Sequence, residues 1–316
     1  MTSNPPPIPQ AFIWRRLHSL TGVFIVLFLI SHLLTNSQAA LFVGEDGSGF
    51  VEAVNNIHNL PYLPFIEIAL LAVPILIHMV WGIRYLRTGE LNSFRGDGTT
   101  PSLPEYGRNR AYSWQRITSW VLVVGILAHV VQMRFLEYPV ATKVDNETHY
   151  MLPVSLDTGL ITLAQRLNVR LLTQKMIDYE KTAEHPSPEW WSLPSAKDQL
   201  LEQRRQQREE WGKAADARPL RDGEVLAVAP DFGTIELLLV RDTFKSPIMI
   251  ALYTLFVLAA CFHGFNGLWT SMITWGVTIS EKAQRNMLFV STALMVAVTF
   301  LGLAAIWGTF WLNLKQ

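Results

Sequence analysis

Cysteine is almost missing from this 316-residue chain, with Cys261 its single example. No disulfide can close within it, and no iron–sulfur cluster can be held by it alone. Charge is scarce as well: 26 basic and 26 acidic residues make up 16% of the sequence and cancel to a formal net charge of zero. An ordinary soluble domain carries about a quarter charged residues, so this chain does not read as one. The zero balance also argues against nucleic acid as a partner, because phosphate binding needs clustered basic surface. There is no Gly-x-Gly-x-x-Gly fingerprint for a dinucleotide or flavin. Residues 1–10 are polar and proline-rich, without the basic region and small-residue cleavage site of a signal peptide. The first apolar run is therefore expected to be a retained membrane helix.

Apolar sequence is what the chain has in quantity, half of its residues. Long runs fall at roughly 18–42, 63–86, 113–136, 246–273 and 286–312. Each exceeds the ~20 residues needed to cross ~30 Å of hydrocarbon. Arg15 and Arg16 precede the first run, and Arg84, Arg87, Arg95, Arg108, Arg110 and Arg116 crowd the connection between the second and third. Lys282 and Arg285 stand between the fourth and fifth, whereas the connection from Phe42 to Tyr62 has no Lys or Arg and carries Glu45, Asp46 and Glu52. Basic flanks stay in the cytoplasm. The expected fold is an all-α integral membrane protein, a five-helix bundle with its N-terminus cytoplasmic and its C-terminus outside, surrounded by membrane lipid.

Residues 137–243 break this pattern, dividing the chain into 1–136 (helices one to three), an extracytoplasmic insertion at 137–243, and 244–316 (helices four and five). The insertion is polar, with His185-Pro186-Ser187-Pro188 followed by a charged run from Lys197 to Lys213. That run reads as a solvated helix, on which Glu202, Arg205, Arg208 and Glu209 allow i, i+3 and i+4 pairs. Val225 to Val240 is apolar and partly β-branched, consistent with a short strand pair or an interfacial segment. No catalytic motif stands out in it; a capping or partner-binding role and plain decoration both remain open.

Four histidines lie inside the apolar runs: His32, His78, His129 and His263, one in each of the first four. An ionisable side chain in hydrocarbon is costly and reads as functional by default. Neutral imidazole is a good metal ligand, and two facing histidines can hold a haem iron from both sides. Four histidines make two pairs, hence two haems in the bundle core. Without Cys-x-x-Cys-His for covalent attachment, both must be b-type. Depth sorts the pairs. At a rise of ~1.5 Å per residue, His32 lies about 24 Å from Arg16 and His129 about 20 Å from Arg116. His78 lies about 9 Å from Arg84 and His263 about 15 Å from the cytoplasmic end of its helix. The outer haem iron is thus assigned to His32 and His129, and the inner one to His78 and His263.

Internal repetition supports the pairing. His18-Ser19-Leu20-Thr21-Gly22 parallels Gln115-Arg116-Ile117-Thr118-Ser119, each ten residues before its outer histidine. Thr21 and Thr118 then fall near the inner level. His78-Met79-Val80-Trp81-Gly82 parallels His263-Gly264-Phe265-Asn266-Gly267. A glycine one turn past each inner ligand leaves room for a flat macrocycle against the helix. The other candidates are weaker. His18 either meets an inner haem propionate or is solvated. His58 either faces a quinone pocket or lies on the surface, and His149 and His185 read as bland. Asn36 either serves the outer site or caps its helix, and Glu67 either relays protons to a quinone or simply reaches water.

Arg15-Arg16-Leu17-His18-Ser19-Leu20, Ser31-His32, Gln115-Arg116 and above all Phe262-His263-Gly264-Phe265-Asn266-Gly267-Leu268-Trp269 resemble the di-haem cytochrome b anchor of succinate dehydrogenase. Val277-Thr278-Ile279-Ser280 and Gln284-Arg285 fit too. The likeness is to the five-helix anchors of bacterial succinate:menaquinone reductases and their fumarate reductase relatives. It implies that the four histidines are axial ligands, paired first helix with third and second with fourth. It also implies a bacterial inner-membrane subunit that is not itself catalytic toward succinate. Flavoprotein and iron–sulfur partners would pass electrons through two haem b to a quinone, menaquinone by resemblance, near the outer face. Two departures stand out: the long connection between helices three and four, and Cys261 where some fumarate reductase anchors carry a proton-transferring glutamate. The rival expectations are a cytochrome b of a formate dehydrogenase or hydrogenase, a haem transporter, and a purely structural anchor.

Overall fold

The computed structural model describes residues 8–41, 45–89, 91–94, 102–144, 147–182 and 194–315. Among the described residues five helices are long and apolar enough to cross a membrane: Gln10–Ser37, Leu63–Thr88, Gly107–Leu136, Pro247–Thr274 and Glu281–Asn313, here the first to fifth spans. They match the five apolar runs, with starts at 10, 107 and 281 that precede the runs because helix continues into polar, Arg-bearing or capped turns. Ser280 caps the fifth span by accepting from Ala283 N–H at 3.2 Å. In the second span the buried Pro74 supplies no N–H to the turn before it, and the helix widens to a π stretch at Ile68–Ala72.

The chain separates into two compact units. The first comprises Met1–Ser37, Leu60–Val130 and Ile250–Ile306, essentially the spans. Within it the first span packs on the second and fifth, and the second on the third. Close approach is set by small residues. A Cβ at Gly302 would lie 2.7 Å from Val257 Cγ1, so the fourth and fifth spans touch there only because position 302 has no side chain. Many apolar side chains of this unit face outward, as lipid-facing helices require.

The second unit comprises Gln38–Asn59, Val131–Met249 and Trp307–Gln316, so it draws on more chain than residues 137–243. Its centre is an antiparallel sheet of β1 (Val140–Val144), β2 (Glu147–Ser155), β3 (Arg170–Leu172) and β4 (Glu224–Ala229), in the order β1-β2-β4-β3. An entirely helical fold is therefore correct for the spans and wrong for this unit. β4 alternates between two cores. Val225, Ala227 and Ala229 join Leu152, Val154, Leu160, Ile235 and Leu238 on one face, while Leu226 and Val228 join Met151, Leu172, Ile177 and Trp211 on the other. Burial on both faces explains why Val225–Ala229 is continuously apolar. The expected strand pair at Val225–Val240 is instead β4 followed by the helix Phe232–Thr243, because Asp231 caps a new helix by accepting from Thr234 N–H at 2.8 Å.

The charged run is a helix, Pro194–Asp216, on which Arg205 lies 3.5 Å from Glu202 and 3.7 Å from Glu209. Its Trp211 and Ala215 face the sheet. The helix Ser48–His58, from the first connection, packs on Phe232–Thr243: Asn55 Oδ1 accepts from Gly233 N–H at 2.7 Å, and Asn55 Nδ2 donates to Asp231 at 2.7 Å. Arg241, 7% exposed, forms a two-pronged pair with Asp157 at 2.7 and 3.0 Å, and Lys245 reaches the same carboxylate at 2.6 Å. His185 lies outside the described residues.

Candidate metal centres

The second span passes the first with His78 against Gly22. A Cβ at position 22 would lie 2.9 Å from His78 Cε1, so the ring fits there only over glycine. His78 Nδ1 stands 3.0 Å from the carbonyl oxygen of His18. A carbonyl only accepts, so Nδ1 carries the hydrogen and Nε2 keeps its lone pair. The fourth span meets the third in the same way. His263 Nδ1 is 3.3 Å from the carbonyl oxygen of Gln115 and 3.3 Å from Ser119 Oγ. The buried Thr21 and Thr118 turn their hydroxyls back on these same two carbonyls, at 3.0 and 3.2 Å. The repeat seen between positions 18–22 and 115–119 is thus a repeat of contacts: each supplies the backbone acceptor for one histidine, His78 or His263.

The side chains at 18 and 115 also occupy equivalent places. A Cβ at Gly82 would meet His18 Cε1 at 3.7 Å, and one at Gly267 would meet Gln115 Nε2 at 3.6 Å. The two glycines expected to flank a macrocycle therefore lie against these side chains. His18 stacks on His78 with ring centroids 3.9 Å apart and planes 12° apart, and its buried Nδ1 has no hydrogen-bond partner. It packs on a candidate ligand and is not a solvated residue.

The rings of His78 and His263 lie 6.1 Å apart at 82°, and those of His32 and His129 lie 6.0 Å apart at 73°. These are the pairs expected from depth. Imidazoles on opposite sides of one iron, with metal–nitrogen bonds of about 2 Å, place their centroids about 6 Å apart. Both pairs have that spacing. Among the described residues no group of three or more His, Cys, Asp or Glu is arranged to hold a metal ion by itself. Each pair could therefore supply two imidazole ligands to one haem iron. His32 lies fourteen residues beyond His18, and His129 fourteen beyond Gln115. The second pair is therefore about 21 Å further along the same two spans. Its ring partners are side chains: Tyr253 OH is 3.1 Å from His129 Nδ1, and Asn36 Nδ2 is 3.5 Å from His32 Nδ1 while donating to the His32 carbonyl at 2.9 Å. All four rings are half-buried.

The remaining candidates scatter. Glu67 is half-buried in the second span, immediately before the π stretch. Cys261 is fully buried in the fourth span. His58, in the second unit, stacks on Phe232 at 3.9 Å and bonds Tyr150 OH at 3.1 Å. His149 pairs with Thr142 across β1 and β2. Sequence reasoning gave no role to three polar side chains around the paired histidines: the Gln115 amide, which donates to the His263 carbonyl, Tyr253, which meets His129 Nδ1, and Asn266, which bonds the Gln115 amide oxygen. Their signal was available, since each is a polar group in an apolar span, and Asn266 lies one turn from His263.

The succinate dehydrogenase cytochrome b558 subunit of Bacillus subtilis is similar to this chain, 22% identical over 298 residues that cover 94% of this chain and 96% of that protein. No family model matches the chain, and no solved structure matches it.

Proposed function

We propose that the chain is the membrane-anchor and electron-transfer subunit of a succinate:quinone oxidoreductase in a bacterial cytoplasmic membrane. One observation carries the reading: two histidine pairs between apolar spans, at 6.0 and 6.1 Å, each at the spacing of a bis-imidazole iron site. The likeness to a succinate dehydrogenase cytochrome b subunit along most of both chains supports it. When bound, two b haems supply one-electron carriers between a cytoplasmic iron–sulfur partner and a quinone, menaquinone in this reading, near the outer face.

The chain's residues do the rest. His78 and His263 hold the inner haem, and His32 and His129 the outer one. The carbonyls of His18 and Gln115 fix the inner imidazoles as Nδ1–H tautomers and raise their basicity toward iron. The apolar spans exclude water around both sites. Arg84, Arg87, Arg108, Arg110 and Arg116 form a basic cytoplasmic edge for the partner subunits. Succinate oxidation belongs to the flavoprotein partner.

Co-purification from native membrane tests this. The complex should carry a flavoprotein and an iron–sulfur protein, and its optical and EPR spectra should show two low-spin bis-histidine haems that are reduced on adding succinate. His263→Leu should remove one haem and keep the other. A colourless preparation, or both haems retained in the variant, would refute the assignment.

A further inference from the structure

His263 differs from His78 in what holds its acceptor. Both acceptor carbonyls belong to a neighbouring span, so each contact depends on register, first against second span for His78 and third against fourth for His263. The Gln115 side chain ties the latter register. Its Nε2 donates to the His263 carbonyl at 3.0 Å, and its Oε1 accepts from Asn266 Nδ2 at 2.9 Å. With His263 Nδ1 at 3.3 Å from the Gln115 carbonyl, one residue on the third span is bonded to the fourth through its backbone oxygen, its amide nitrogen and its amide oxygen. Ser119 Oγ donates to the same carbonyl at 2.6 Å, completing the acceptor side. All these groups are polar and lie within apolar spans, where unmade bonds are costly. On the equivalent first-span side, position 18 carries an aromatic ring stacked on His78 and no such clasp.

From this arrangement we infer that Gln115 and Asn266 are positioning residues for His263, a clasp that holds the Gln115 carbonyl on His263 Nδ1 and so sets the affinity and potential of the inner haem alone. The inference rests on the haem assignment above. A carbonyl on Nδ1–H makes the imidazole a stronger donor, which favours the oxidised iron. Loosening the clasp weakens that bond without removing the ligand.

The test uses the intact complex with Gln115→Met, which keeps the backbone carbonyl and the side-chain length but loses the amide, and Asn266→Leu, which removes the donor at similar volume. Haem content, the midpoint potential of each haem and the low-spin EPR signal of each are measured. Outer-sphere partners of this kind change metal affinity by about 10- to 100-fold. Each variant should lose inner haem to an external haem acceptor faster by a factor in that range, raise the inner midpoint potential and alter the inner EPR signal, with the outer haem unchanged. The double variant should do little more than Gln115→Met, because both residues act through one contact. Two haems with unchanged potentials in both single variants would overturn the inference, as would equal shifts in both haems, which mark a general packing defect. A wild-type complex without two haems would instead sink the underlying assignment.

Discussion

Glu236→Gln should stabilise the second unit above pH 7 and leave it unchanged near pH 4. Glu236 is half-buried on the helix Phe232–Thr243. Burial pushes its carboxyl up from the ordinary 4.5 to about 7, with Arg134 opposing the rise and Glu137 adding to it. Between those two values the unfolded chain has released a proton that the folded chain still holds, so stability falls as pH rises, by up to about 1.4 kcal/mol per unit. Below the unfolded value both states are protonated and there is no penalty. Above the folded value the whole penalty is present, on the order of 3 kcal/mol. Glutamine matches the neutral acid in shape and never ionises, so the variant escapes the penalty. Amide hydrogen exchange by mass spectrometry over 224–243, on the haem-loaded chain in detergent and corrected for intrinsic rates, reads the local opening free energy. The variant should be protected about 100-fold more than wild type at pH 8, from 1.4 kcal/mol per tenfold, and equally at pH 4. Equal protection at both pH values would refute the reasoning.

Two further outcomes follow from the packing. Gly22→Val should displace the His78 ring, since even a Cβ would come within 2.9 Å of it, and the purified protein should lose the inner haem's absorption while keeping the outer; two intact haems would show that the spans can part at no cost. Arg241→Met should destabilise the second unit by about 3 kcal/mol, the lower end for a broken buried pair, because Lys245 still reaches Asp157. Burial works to raise the Asp157 carboxyl, but the hydrogen bonds from Arg241 and Lys245 outweigh it and hold the group below the ordinary 3.8. The stability it contributes is present above pH 3.8 and is lost as pH falls through the depressed value. The gap between wild type and variant, followed by exchange protection of 158–166, should therefore narrow in acid; a constant gap would show that the pair is not what Met removes.

The spans were legible because lipid imposes one rule along some 20 residues, and length with hydropathy reads it directly. The histidine pairs were legible for a related reason: a helix converts sequence distance into depth at a fixed rise, so equal offsets put residues at equal levels. The second unit was not legible in this way. β4 is buried on both faces and shows no alternation, so Val225–Val240 carried an apolar signal with no period to separate strand from helix. What divides it is a single cap at Asp231, tied in turn to Asn55 from a connection 176 residues away. The Gln115 clasp was hidden for the same cause. Its bonds run between spans, and a sequence shows which residues are polar but not which helix face each will meet.

The two ends of the bundle hold their rings by different means, and this bears on how each can be tuned. The inner histidines give Nδ1–H to backbone carbonyls at positions 18 and 115, acceptors that no side-chain substitution deletes. The outer ones meet side chains, Tyr253 OH on His129 and Asn36 on His32, and a single codon change removes either. Because a partner that accepts from Nδ1–H sets the basicity of the nitrogen opposite, Tyr253 is the position at which substitution would shift the proposed outer haem's potential while the ligand stays in place, whereas Asn36 Nδ2 only donates and cannot take Nδ1–H. In the proposed inner site the shift would come through register, by way of Gln115 and Asn266 on one side and the stacked His18 ring on the other. A repeat that began as matched sequence at 18–22 and 115–119 thus fixes the inner end through the backbone and leaves the outer end, where the quinone is proposed to react, open to adjustment.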